Sequence, residues 1–153
     1  MLSGYFYFIK DDFFNNCLDC NLMLNKDNKN GRPCHYCFEY DNMFWMIPIS
    51  SKIEKYKKIF NQKIKQRKNF DGIRFGFVNG KERAFLIQNC FPVTAKYIDS
   101  QYMLNKNTLP AKVSKTFSSE LNGLIRKVIR LYEKDIKITL TDLSTIIDFI
   151  KKN

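Results

Sequence analysis

The chain has one histidine, His35, close behind Arg32, and a Ser50-Ser51-Lys52 run further on. Together these supply an imidazole, two hydroxyls and two fixed cations. That set suits cleavage of RNA without a metal ion. A base takes the proton of a ribose 2′-OH, which then attacks the neighbouring phosphorus; histidine titrates near neutrality and fits that task. The phosphorane gains negative charge, which calls for cations and aimed donors. The candidate catalytic residues are therefore His35, Ser50, Ser51, Lys52 and Arg32. Each also has a structural reading. A lone histidine in an aromatic run can be a packed core residue, the serines can be helix caps, and Arg32 and Lys52 can be solvated charges.

For these residues to meet, the elements must bring them to one corner. His35 to Tyr40 and Met43 to Ile49 read as a hairpin across Asp41-Asn42. Pairing of those strands puts His35 at the same end as the Ser-Ser-Lys run. Ser51 to Lys68 reads as a helix, with Ser50 or Ser51 as cap and Glu54 at capping-box distance. Its N-terminus would then be an anion site at that corner. Ile53, Tyr56, Phe60 and Ile64 form its inner stripe.

Around this unit, Gly4 to Ile9 reads as a buried first strand and Asn25 to Pro33 as a loop. Ile73 to Val78 and Arg83 to Ile87 form a second hairpin across Asn79-Gly80. Pro92 is expected to end the strand region, and Asp99 to Leu109 has no clear pattern. Ser114 to Tyr132 reads as a helix with Phe117, Leu121, Ile125, Val128 and Tyr132 facing inward. Thr139 to Lys151 reads as a last helix, with Thr139 and Asp142 at capping-box spacing and Leu143, Ile146, Ile147 and Ile150 inward. Early strands and late helices, without βαβ alternation, imply an α+β domain on a small antiparallel sheet or barrel. The 153 residues suit a single domain, 1–153, with one hydrophobic core.

Five cysteines and no export leader imply reduced thiols rather than disulfides. Cys17-x2-Cys20 and Cys34-x2-Cys37 have the spacing of a four-cysteine zinc site. The second pair lies in a strand-like run, where alternation turns Cys34 and Cys37 to opposite faces. The expectation is therefore no metal and no cofactor. The alternative is a non-catalytic basic RNA-binding module supported by zinc on Cys17, Cys20, Cys34 and Cys37.

Lys plus Arg total 26 against 15 Asp plus Glu, a net charge of +11, which favours a polyanionic partner. The excess is densest on the helix after Ser51. Lys55, Lys57, Lys58, Lys63, Lys65, Arg67 and Lys68 are its RNA-binding candidates. Like charges such as Lys63 and Arg67 repel at i,i+4 spacing, and bound phosphates would relieve them. The other reading is a solvated face. Exposed aromatic rings could add stacking for unpaired bases. No apolar run approaches the roughly 18 to 20 residues of a membrane span, so a soluble, cytoplasmic protein is expected, with no membrane partner.

Gly31-Arg32-Pro33-Cys34-His35-Tyr36, then Trp45-Met46-Ile47-Pro48-Ile49-Ser50-Ser51-Lys52 and Glu54-Lys55-Tyr56, resemble the toxins of type III toxin–antitoxin systems. Ala84-Phe85-Leu86-Ile87-Gln88-Asn89-Cys90-Phe91-Pro92-Val93 extends the likeness. It is nearest to the CptN and TenpN branch, with ToxN and AbiQ more distant. The resemblance implies a compact, twisted β-barrel-like core similar to Kid and MazF, with helices around it. It also implies a metal-independent, sequence-selective endoribonuclease of phage defence that leaves a 2′,3′-cyclic phosphate and a 5′-hydroxyl. The implied partners are a repetitive small RNA antitoxin of pseudoknots, processed and bound in a closed ribonucleoprotein assembly, and cellular RNA as substrate; no DNA partner is implied. On this resemblance Ser51 contacts the scissile phosphate with Ser50 beside it, and Lys52 and Arg32 stabilise charge. His35 stands where more distant relatives use a lysine.

Overall fold

The computed structural model describes residues 3–18, 20–23, 33–106 and 108–153. The expected loop at Asn25 to Pro33, and Arg32 with it, lies outside the described residues except for Pro33. Strands β1 (Phe6–Ile9), β2 (His35–Tyr40) and β3 (Met43–Ser50) form the middle of the fold, with the short helix α1 (Asp11–Asn16) after β1. Helix α2 (Ile53–Arg67) leads to the hairpin β4 (Arg74–Val78) and β5 (Lys81–Phe85). Then come β6 (Phe91–Val93), β7 (Ile98–Gln101), the small ribbon β8 (Met103–Leu104) and β9 (Leu109–Pro110), and helices α3 (Lys115–Glu133) and α4 (Leu143–Lys152).

The result is a mixed α+β fold on an antiparallel sheet ordered β4-β5-β3-β2-β1-β7, with β6 also on β3. Among the described residues the sheet stays open and no barrel closes. β3 is its hub. One edge pairs with β2 from Met43 to Pro48, while the other pairs with β6 at Phe44–Met46 and with β5 at Ile49–Ser50. Pro48 sits at the change of partner. Its carbonyl accepts the Leu86 N–H at 2.9 Å, so its missing N–H falls on that same edge, between two partners.

Both predicted hairpin turns are present. Asp41, Asn42, Asn79 and Gly80 all have positive φ, as two-residue turns between twisted strands require. The strand region does not end at Pro92. β6 contains that proline and pairs only with β3, so one edge can lack a donor at no cost to the ladder.

Both sheet faces are covered. α3 packs Leu121, Ile125 and Val128 against Tyr36, Trp45, Ile47 and Phe85. Gly76 leaves room for the Phe117 ring, and the Tyr36 hydroxyl reaches Ser118 Oγ at 2.6 Å and Asn122 Oδ1 at 2.8 Å. On the other face, Phe13, Cys37, Met46, Phe91 and Ile146 form a second cluster, and α2 lays Tyr56 on Ile73, Ala84 and Leu86. Ser114, expected as the first helical residue, is the cap of α3, its hydroxyl accepting the Phe117 N–H. The last helix starts later than expected. Asp142 is its cap, accepting the Thr145 N–H at 3.1 Å, while Thr139 and Thr141 are buried. The Thr139 hydroxyl donates to the Thr141 carbonyl at 2.9 Å, which takes it from the expected capping box, and the Thr141 hydroxyl donates to the Cys90 carbonyl at 2.7 Å.

The expectation of reduced thiols fails at one pair. Cys17 and Cys20 form a disulfide, with Cα atoms 6.0 Å apart. Cys17 is the C-cap of α1, and the chain turning off that helix brings Cys20 back beside it.

Candidate active site

Antiparallel pairing sets His35 opposite Pro48 and Ser50 opposite Ala84. His35 and Ser50 are thus diagonal neighbours on one face, about 7 to 8 Å apart by strand geometry. The hairpin does bring the histidine to the serine corner, as its register required.

The corner itself is built from a strand end running straight into a helix. Ser50 is half-buried, and Ser51 and Lys52 are exposed. Neither serine caps α2 by the expected box. Lys52 is the N-cap residue and no side chain caps the helix. The Ser50 hydroxyl instead accepts the Lys52 N–H at 3.1 Å, and the Ile53 N–H donates to the Ser51 carbonyl at 2.9 Å. Two consequences follow. The Ser51 hydroxyl makes no hydrogen bond with the described residues, so it is open to a ligand. The N–H groups of Glu54 and Lys55 in the first helical turn also keep their hydrogens for an outside acceptor.

His35 does not open onto this corner. Its side is 3% exposed, stacked on Phe14 at 6.3 Å and edge-on to Phe91 at 5.4 Å. Of the two readings of His35, this burial fits the packed core residue: α1 supplies a cover that a hairpin alone would lack. Arg83 was missed by the sequence reading. It follows Glu82 on β5, directly beside Ala84, which pairs with Ser50. It is half-buried, and its guanidinium donates to the Glu82 carbonyl at 2.8 Å. Burial pushes the Cys34 thiol up to about 12, while its backbone hydrogen bond and the Arg83 charge act the other way. No local signal marks Arg83; the pairing of β3 with β5 brings it level with the end of β3, on the sheet face opposite Ala84 and Ser50.

The basic helix is arranged as its periodicity implied. Tyr56 is buried and Lys55, Lys58, Lys65, Arg67 and Lys68 are exposed, with Lys63 half-buried. Lys57 is the exception, since its ammonium pairs with Glu82 at 3.1 Å.

The zinc alternative is overturned. Cys17 and Cys20 are bonded to each other. Cys34 and Cys37 lie in the two clusters on opposite faces of β2, as strand alternation required. Burial raises Cys34, Cys37 and Cys90 each to about 12, so at neutral pH they are thiols and not nucleophiles.

Neither a family model nor a curated protein sequence matches the chain. Solved structures do, and two of them cover nearly the whole chain. One is AbiQ, a lactococcal anti-phage endoribonuclease of the type III toxin–antitoxin system, with a TM-score of 0.71 and 14% identity over 98% of this chain and 97% of that one. The other comes from a bacterial type III toxin–antitoxin system whose toxin is selectively inhibited by a non-coding RNA pseudoknot. Its TM-score is 0.61, again at 14% identity over 98% and 97% of the two chains. Over nearly its whole length, this chain therefore has the fold of AbiQ and of type III toxin–antitoxin structures.

Proposed function

We propose that this protein is an endoribonuclease toxin of a type III toxin–antitoxin system, of the CptN/TenpN branch, acting in the cytoplasm in defence against phage. It cuts RNA at selected sequences without a metal ion. A repetitive pseudoknot RNA, which it also processes, holds it inactive in a closed assembly. The observation that carries this reading is the exposed, uncapped Ser51 hydroxyl at the start of α2, with Lys52 beside it and Arg83 on the adjoining strand. The neighbours' fold supports it.

In the reaction the 2′-oxygen bonds to phosphorus and the bond from phosphorus to the 5′-oxygen breaks. The 2′ proton leaves to a base and the 5′-oxygen gains a proton, giving a 2′,3′-cyclic phosphate and a 5′-hydroxyl. Ser51 and the first-turn N–H groups of α2 hold the phosphate oxygens, and Lys52, Arg83 and Arg32 balance the growing charge. Ser50 fixes the bend through its bond to the Lys52 N–H. His35, buried beneath the corner, holds the end of the β2–β3 hairpin in place.

A second reading, RNA binding without catalysis, is favoured by one observation: no imidazole reaches the surface at the corner. Incubation with RNA in excess EDTA decides between them. The proposal expects undiminished cleavage with cyclic-phosphate ends. Binding without cleavage would establish the second reading. Activity lost in EDTA and restored by a divalent ion would refute the metal-free step.

A further inference from the structure

Phe77 is 62% exposed, the most exposed aromatic ring among the described residues. Tyr40, at 40%, lies against Phe38; the Phe77 ring meets no other described ring. An exposed phenyl on an edge strand is unfavourable for a free protein, because it invites edge-to-edge association. Its surroundings give it a use.

Phe77 stands opposite Glu82, and Phe75 opposite Ala84, which in turn faces Ser50. Residues facing across a ladder share a sheet side, and so do residues two apart on a strand. Phe77 is therefore on the side covered by α2 and marked by Ser50. The helix covers Phe75, with Lys57 Nζ 5.7 Å from its ring centroid, and stops short of Phe77. Lys57 ties α2 to Glu82, the cross-strand neighbour of Phe77, and exposed Lys81 comes next on β5. Two strand spacings and one rung put Phe77 roughly 12 Å from Ser50, a short single-stranded span.

We propose that Phe77 is a stacking platform for an unpaired base of the RNA whose phosphates follow α2 to the Ser51 corner. This rests on the RNA reading above and adds a subsite to it. A phenyl face accepts any base, so the contact selects for unpaired RNA over duplex without selecting sequence. The cations of α2 select the polyanion over an apolar partner.

The test uses a 2′-O-methyl oligoadenylate dodecamer, which cannot be cleaved by 2′-oxygen attack, and an RNA duplex of the same length. Trp45 is the only tryptophan and is buried, at 2% exposure, so Phe77→Trp adds a distinct solvent-exposed emitter. Its emission should be quenched by the single strand and unaffected by the duplex. Phe77→Ala should weaken single-strand binding roughly 5- to 150-fold, with an unchanged melting temperature, because the ring is mostly in solvent. Wild-type binding that Phe77→Ala leaves intact overturns the inference and spares the RNA reading. No wild-type binding to either RNA overturns both. A concentration-dependent dimer that Phe77→Ala dissolves, with RNA affinity unchanged, would assign the ring to a second copy of this chain.

Discussion

At the corner, the side chains divide by what covers them. Ser51 and Lys52 reach solvent, while His35 is packed between rings. Truncating a buried ring leaves a cavity, so His35→Ala should cost about 2 to 4 kcal/mol of stability, read as a lowered denaturation midpoint. His35→Phe refills the space and should restore both folding and most of the cleavage. A folded but inactive His35→Phe would return the imidazole to the proton transfer itself. The register of His35 with the serine corner was legible because hairpin pairing is local. Its burial was not, because the cover comes from Phe14 on a six-residue helix too short to show a period. Arg83 was illegible for the same kind of reason: its place depends on a pairing between strands distant in sequence.

Among the elements, α2 carries the charge and α3 the packing. Changing Lys55, Lys58 and Lys65 together to Gln should flatten the slope of log affinity against log salt by about one unit per lost phosphate contact. Lys57 is left out because Glu82 already holds it. An unchanged slope would move the phosphates off this helix. α3 is clamped to the β4 end of the sheet by Asp71, which bonds Lys127 and, at 2.9 Å, Arg74. The hydrogen bond from Lys127, then that from Arg74, holds the Asp71 carboxyl below its ordinary 3.8. A carboxylate depressed in the folded state stabilises fully above its unfolded value and loses that contribution as pH falls through the folded one. Asp71→Asn should therefore lower stability at neutral pH and converge with wild type in acid; a gap that does not narrow as pH falls would contradict the clamp. The groups are partly exposed, so the neutral-pH effect should be modest, about 1 kcal/mol. The longer elements, α2, α3 and both hairpins, were readable from period and turn residues. β6 and β7 were not, because proline reads as a stop where the strand has only one neighbour and the β1–β7 pairing is long-range. The expected cap failed at Thr139 because its hydroxyl donates to the Thr141 carbonyl two residues on, while Thr141 is tied to Cys90.

On the scale of the whole molecule, the net charge of +11 favours a polyanionic partner, and the fold is the one shared with the two solved structures. No helix among the described residues is long and apolar enough to cross a membrane. The chain purified from cells that carry its antitoxin should bring down a discrete RNA of repeat length; a nucleic-acid-free preparation from such cells would contradict the proposed partner. The central claim, RNA cleavage at the Ser51 corner, is tested most directly by single-turnover cleavage in EDTA, comparing wild type with Ser51→Ala and following thermal unfolding of both. Ser51 is exposed and caps nothing, so its removal should leave the melting temperature unchanged. The rate should fall about 10²- to 10³-fold, the usual effect of losing one donor to a transition-state oxyanion. A folded Ser51→Ala protein that cuts RNA at the wild-type rate would place the chemistry elsewhere.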